Sequence, residues 1–148
     1  MKQNQRFYTV ICTVLVLFAP SIWADPSSLS PPNASVDILE PADGAVVSSP
    51  FNVKFGIKNM ALVPAGTPQE YSGHHHLLVD VETLPEMSLP IPADSHHLHF
   101  GKGQSETTLD LPPGKHSLQL LLGDYLHRPH DKPVMSKKIT ITVKAADK

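Results

Sequence analysis

The 148-residue chain contains a single cysteine, Cys12. One thiol excludes a disulfide framework, a thiolate zinc site and an iron–sulfur cluster. Aromatic residues make up 6% of the chain and charged residues 18%, with 12 basic against 14 acidic side chains and a formal net charge of -2. With no cationic excess to displace phosphate counterions, nucleic acid is excluded as a partner. No apolar run reaches the roughly 20 residues of a bilayer-spanning helix. There is no sustained 3.6-residue apolar stripe, no Gly-x-Ser-x-Gly elbow and no His-Glu-x-x-His pair. Familiar arrangements for nucleophilic catalysis and helical zinc ligation are therefore missing.

The apolar run at 7–18 (FYTVICTVLVLF) follows Lys2 and Arg6 and precedes Pro20 and Ala24. A short basic stretch, a 12-residue apolar run and a small residue form the pattern of a signal peptide, read here as residues 1–24. Its removal takes Cys12 with it and leaves all nine histidines. The expected location is the periplasm or the extracellular medium, with no stable membrane span after cleavage. An exported chain without cysteine is held by its core or by another agent, such as a metal.

Fifteen prolines and eight glycines punctuate the rest. Residues 25–35 (DPSSLSPPNAS) read as a Pro/Ser-rich linker. From residue 36 to 144, short runs rich in Val, Ile, Leu and Thr alternate with turn residues. They predict strands at 36–40 (continuing at 45–48), 51–58, 75–82, 97–100, 105–111, 115–122 and 136–144. Gly101-Lys102-Gly103 reads as a tight hairpin turn between the fourth and fifth of these. About seven strands at this spacing predict an all-β, immunoglobulin-like antiparallel β-sandwich. Period-two alternation puts Leu77, Val79 and Val81 on one face with His75, and His74, His76, Leu78 and Asp80 on the other. Likewise Leu98 and Phe100 point inward and His97 and His99 outward.

The histidines stand out. They cluster as His74-His75-His76, His96-His97-x-His99, the lone His116, and His127-x-x-His130. Neutral imidazole is a common ligand for zinc and copper, and alternating histidines can present two ligands from one strand face. In a sandwich of this kind the loops holding His74 and His76, His99, and His127 and His130 gather at one end, whereas His116 lies at the other in a structural role. The candidate metal ligands are His74, His76, His99, His127 and His130, and the candidate metals are copper and zinc. Asp80 is a candidate acceptor to orient a ligand imidazole. His75 falls in phase with the core, and Asp124 is expected to cap the turn after the sixth strand.

The strings Gly73-His74-His75-His76-Leu77-Leu78-Val79-Asp80, Ile91-Pro92-Ala93-Asp94, His99-Phe100-Gly101-Lys102-Gly103-Gln104-Ser105-Glu106, Pro113-Gly114-Lys115-His116-Ser117-Leu118-Gln119-Leu120 and His127-Arg128-Pro129-His130 resemble the bacterial exported family called domain of unknown function 4399. The resemblance spans about 36–143, with Ser105 in a place where Thr is expected. It implies a small secreted β-rich domain. It implies no activity and no ligand set.

Three functional readings stay open on the residues. The first is an exported metal-binding protein. The second is a metal-free protein-interaction module whose histidines form a structural hydrogen-bond network. The third is a metal-dependent hydrolase with Asp80 or Glu106 as base, for which neither residue has a diagnostic spacing.

Overall fold

The computed structural model describes residues 28–145, so the signal peptide expected at 1–24 lies outside the described residues. Nine strands form: β1 Ser35–Glu40, β2 Val46–Val47, β3 Phe51–Lys58, β4 Ala61–Leu62, β5 Ser72–Val79, β6 His97–His99, β7 Glu106–Leu109, β8 Gly114–Gly123 and β9 Ile139–Val143. The class is all-β, as expected. Each of the seven predicted positions carries a strand, and the short β2 and β4 bring the number to nine.

One sheet has the order β1-β3-β7 and the other β2-β9-β8-β5-β4, with β6 also paired to β5. The β2/β9 and β4/β5 pairs are parallel and the others antiparallel. The two sheets face each other across one core. The inward side chains of the first sheet are Val36, Phe51, Val53, Phe55 and Leu109, and those of the second are Leu77, Val79, Leu118, Leu120, Leu122, Ile139, Ile141 and Val143. At about 1.5–3 kcal/mol for each fully buried aliphatic side chain, this core is the main term holding a domain without disulfides.

The outer face of the larger sheet is covered as well. Residues 80–96 and 124–138 lie over it and build a second apolar cluster from Leu78, Val81, Ile91 and Leu121, with Met87 and Met135 packed against them. Strand β5 is consequently buried along its whole length. His74 and His76 are thus inaccessible on a face that alternation marks only as the side away from the main core.

Three expectations change. The third strand runs Ser72–Val79 rather than 75–82. Asp80 then takes a left-handed backbone, φ 55°. This breaks the alternation and turns Val81 from the main core into the outer cluster. Strand β6 pairs with β5 and not with β7, so Gly101-Lys102-Gly103 crosses between sheets instead of closing a hairpin. The segment read as a linker is docked from its fourth residue. Ser30 N–H and Oγ–H donate to Asp131 Oδ1, and Asp131 N–H donates to Ser28 O. Among the described residues, no helix is long and apolar enough to cross a membrane.

Candidate metal centre

Strand β5 sets the first half of the site. His74 lies opposite Gly123 of β8, and His76 opposite Leu121 on one side and His99 of β6 on the other. Same-face neighbours across a sheet sit about 4.5–5.5 Å apart, so this register brings His76 beside His99 with His74 two residues along. The fourth ring, His127, comes from the loop after β8.

The four imidazoles touch one another. Ring centroids are 5.0 Å apart for His74–His76, His74–His99 and His76–His99, 4.9 Å for His74–His127, 4.8 Å for His99–His127 and 6.1 Å for His76–His127. Nε2 of His74 and Nε2 of His76 are 3.1 Å apart. Ring nitrogens of His74, His99 and His127 all lie within 4.8 Å of one another. His74 and His76 are fully buried, His127 is half-buried and His99 is exposed, so the cluster has one solvent-facing side.

The protein does not meet the hydrogen-bonding demand of this cluster. Nδ1 of His74 and Nδ1 of His76 are buried with no partner. Where the two Nε2 atoms face each other, one must carry the proton and the other accept it. Burial drives the His74 pKa down to about 4. The His127 and His99 rings add to that shift, and the charge of Asp124 opposes it. His76 is pushed lower still, first by burial and then by His74, His99 and His127. His99 is lowered by burial and by His127. The lowered pKa values of His74, His76 and His99 favour neutral imidazole, the form that ligates a metal.

Two glycines make room for the rings, and sequence reasoning missed both. A Cβ on Gly123 would lie 2.9 Å from His76 Nε2, and a Cβ on Gly101 would lie 2.6 Å from His99 Nε2. The signal was present in the sequence, since Gly101 follows the 97–99 histidines and Gly123 ends the leucine run. Only the fold shows which rings they face.

The loop bearing His127 is organised by Asp124, as the sequence suggested for a turn cap. Asp124 Oδ1 accepts the N–H groups of Leu126 at 2.8 Å and Arg128 at 2.9 Å. Its Oδ2 accepts the hydroxyl of Ser28.

The other histidines lie elsewhere. His130 is buried, but its Nε2 donates to Ser72 O at 2.9 Å, and its ring is not brought into the four-ring cluster. His97 Nδ1 pairs with Asp94 at 2.9 Å, and His96 Nδ1 donates to Val79 O. His75 faces the core against Phe55, with a centroid separation of 5.2 Å, and neither of its nitrogens has a partner. His116 sits at the far end of β8, as expected. Its Nδ1 donates to Asp80 Oδ2 at 2.7 Å and its Nε2 faces Pro112 O at 2.8 Å. Asp80 also accepts the Ser117 N–H. Contrary to the expectation from the sequence, Asp80 does not orient a ring of the cluster. β5 ends at Val79, and the left-handed Asp80 turns its carboxylate onto His116 and Ser117, at the end of the strand away from His74. With Asp80 engaged there, one of the two carboxylates suggested as a hydrolytic base, Asp80 rather than Glu106, is held away from the cluster.

Two solved structures align with the chain. The X-ray structure of the endo-beta-1,4-mannanase from Thermotoga petrophila is 18% identical with a TM-score of 0.43, over 74% of this chain and 19% of the mannanase chain. The fibronectin(III)-like modules of Clostridium thermocellum CbhA are 14% identical with a TM-score of 0.40, over 76% of this chain and 99% of theirs. This chain thus spans about a fifth of the mannanase. No curated protein matches it. The family model described as a domain of unknown function (DUF4399) matches residues 53–144, which hold β5, β6, β8 and all four clustered histidines, and the chain belongs to that family.

Proposed function

We propose that this chain is an exported protein, periplasmic or secreted, that binds copper(II) or zinc through His74, His76, His99 and His127 at one end of an immunoglobulin-like β-sandwich. The observation that carries the reading is the convergence of four imidazole rings, with the Nε2 atoms of His74 and His76 3.1 Å apart and ring nitrogens of His74, His99 and His127 within 4.8 Å of one another. A metal about 2.0–2.1 Å from each of two nitrogens that are 3.1 Å apart subtends an angle of roughly 95–100°. This falls between the square-planar arrangement of Cu(II) and the tetrahedral arrangement of zinc. The absence of sulfur from the donor set favours these ions over Cu(I). The alternative reading is a metal-free hydrogen-bond network, for which the cluster shows one ring-to-ring hydrogen bond, between the Nε2 atoms of His74 and His76. Export rests on the 1–24 leader pattern.

The test is calorimetric titration of the tag-free protein with Zn(II) and with Cu(II). His74→Ala and His127→Ala should each weaken binding strongly while leaving measurable residual binding by the remaining rings, and His97→Ala, whose ring is paired with Asp94, should leave it unchanged. Binding that stays at wild-type strength in both of the first two variants would overturn the assignment.

A further inference from the structure

We infer that Asp124 is a positioning residue for the proposed metal site, its carboxylate fixing the backbone that aims the His127 ring at His74. The inference rests on the metal-binding reading above and deepens it. His127 has φ 66°, the left-handed region. Residues other than glycine are uncommon there, and the few that adopt it, histidine among them, do so under backbone strain. Such strain persists where surrounding contacts over-determine it.

Here those contacts radiate from one residue. Asp124 is fully buried at the end of β8. Its Oδ1 holds the N–H groups on both sides of His127, those of Leu126 and Arg128. Its backbone O accepts the His127 N–H at 2.9 Å, and its own N–H donates to Arg128 O at 2.8 Å. The remaining His127 carbonyl accepts Ile91 N–H at 2.7 Å, which ties the loop to the segment covering the outer face. Asp124 Oδ2 takes the Ser28 hydroxyl, so the docked N-terminal segment braces the same carboxylate from outside.

The test is a double-substitution cycle read by titration with Zn(II) and with Cu(II), each alone, on the tag-free protein. Asp124→Ala should weaken binding about 10- to 100-fold, the range seen when groups that orient metal ligands are removed. Asp124→Asn keeps an oxygen for the Leu126 and Arg128 N–H groups and should restore most of that loss. In a His127→Ala background, Asp124→Ala should cause no further loss, because its effect passes through the His127 ring. If Asp124→Ala does not fold, Ser28→Ala carries the same test, with a smaller loss that again vanishes without His127. Wild-type affinity in Asp124→Ala, or an equal loss with and without His127, would overturn the inference while leaving the metal site standing, provided His127→Ala itself loses binding. A wild-type protein that binds neither ion would overturn both.

Discussion

A methyl group added at Gly101 would collide with the exposed ring of His99. His99 can swing into solvent, and the backbone of Gly101 lies outside the left-handed region. Gly101→Ala should therefore leave stability within about 0.5 kcal/mol while weakening metal binding about tenfold, a split readable by urea unfolding and zinc titration on the same samples. Equal affinity would mean that His99 is not a ligand. His75 makes the opposite case. It lies in the core with both nitrogens unpaired, a penalty of about 1–3 kcal/mol. His75→Leu should raise the unfolding free energy by about 1 kcal/mol, and a loss would show that the imidazole has a partner in solution. At this scale the sequence was informative about the histidines, because count and alternation separate His75 from His74 and His76. It was silent about Gly101 and Gly123, whose role is to be absent from space that a distant residue fills.

Strand β5 has two ends with different work. At its start, His74 and His76 face the cluster, and at its finish the Asp80–His116 pair closes the far end of β8. Asp80→Ala removes an ion-assisted hydrogen bond and the acceptor for Ser117 N–H. It should cost about 2 kcal/mol by chemical denaturation with no change in metal affinity. A loss of metal binding would mean that the two ends are coupled. The strands were largely legible, since runs of Val, Ile, Leu and Thr between Pro and Gly mark them. The limits of β5 were not, because Ser72 and Gly73 are poor strand formers that pair only by virtue of their neighbours on β4. The partner of β6 was hidden for a similar reason. A three-residue strand carries too little pattern to choose a sheet, and short separation in sequence suggested β7 where the fold uses β5.

At the scale of the whole molecule, the histidines set the response to acid. In metal-free protein, burial holds His74 and His75 near 4, below the ordinary 6.5, and His76 lower still. Between about 4 and 6.5 the unfolded chain then binds more protons than the folded one, so stability rises with pH across that window and falls as the pH drops through it. His116 runs the other way. Burial opposes its charge, but the hydrogen bonds to Asp80 and to Pro112 O, with the charge of Asp80, outweigh burial and raise its pKa. Its contribution is present below 6.5 and is lost as the pH rises through its folded value. Three largely buried rings against one set the sign. The melting temperature of the EDTA-treated protein should fall between pH 7 and pH 5, above the range in which carboxylates titrate. A melting temperature that stays constant from pH 7 to pH 5 would contradict the burial of these rings. The fold class was readable from the whole chain, whereas the covering of the outer sheet face was not. Residues 80–96 and 124–138 look like loops in sequence, and only their packing on Leu78 and Leu121 turns an outward histidine face into a buried one.

The central claim is that the four imidazoles hold a metal ion. The most direct measurement is elemental mass spectrometry on the protein expressed without a His tag and recovered from the periplasm. The account predicts copper or zinc near one ion per chain, lost in the His74→Ala/His127→Ala double variant. Metal-free protein whose melting temperature is also unmoved by added Cu(II) or Zn(II) would contradict it.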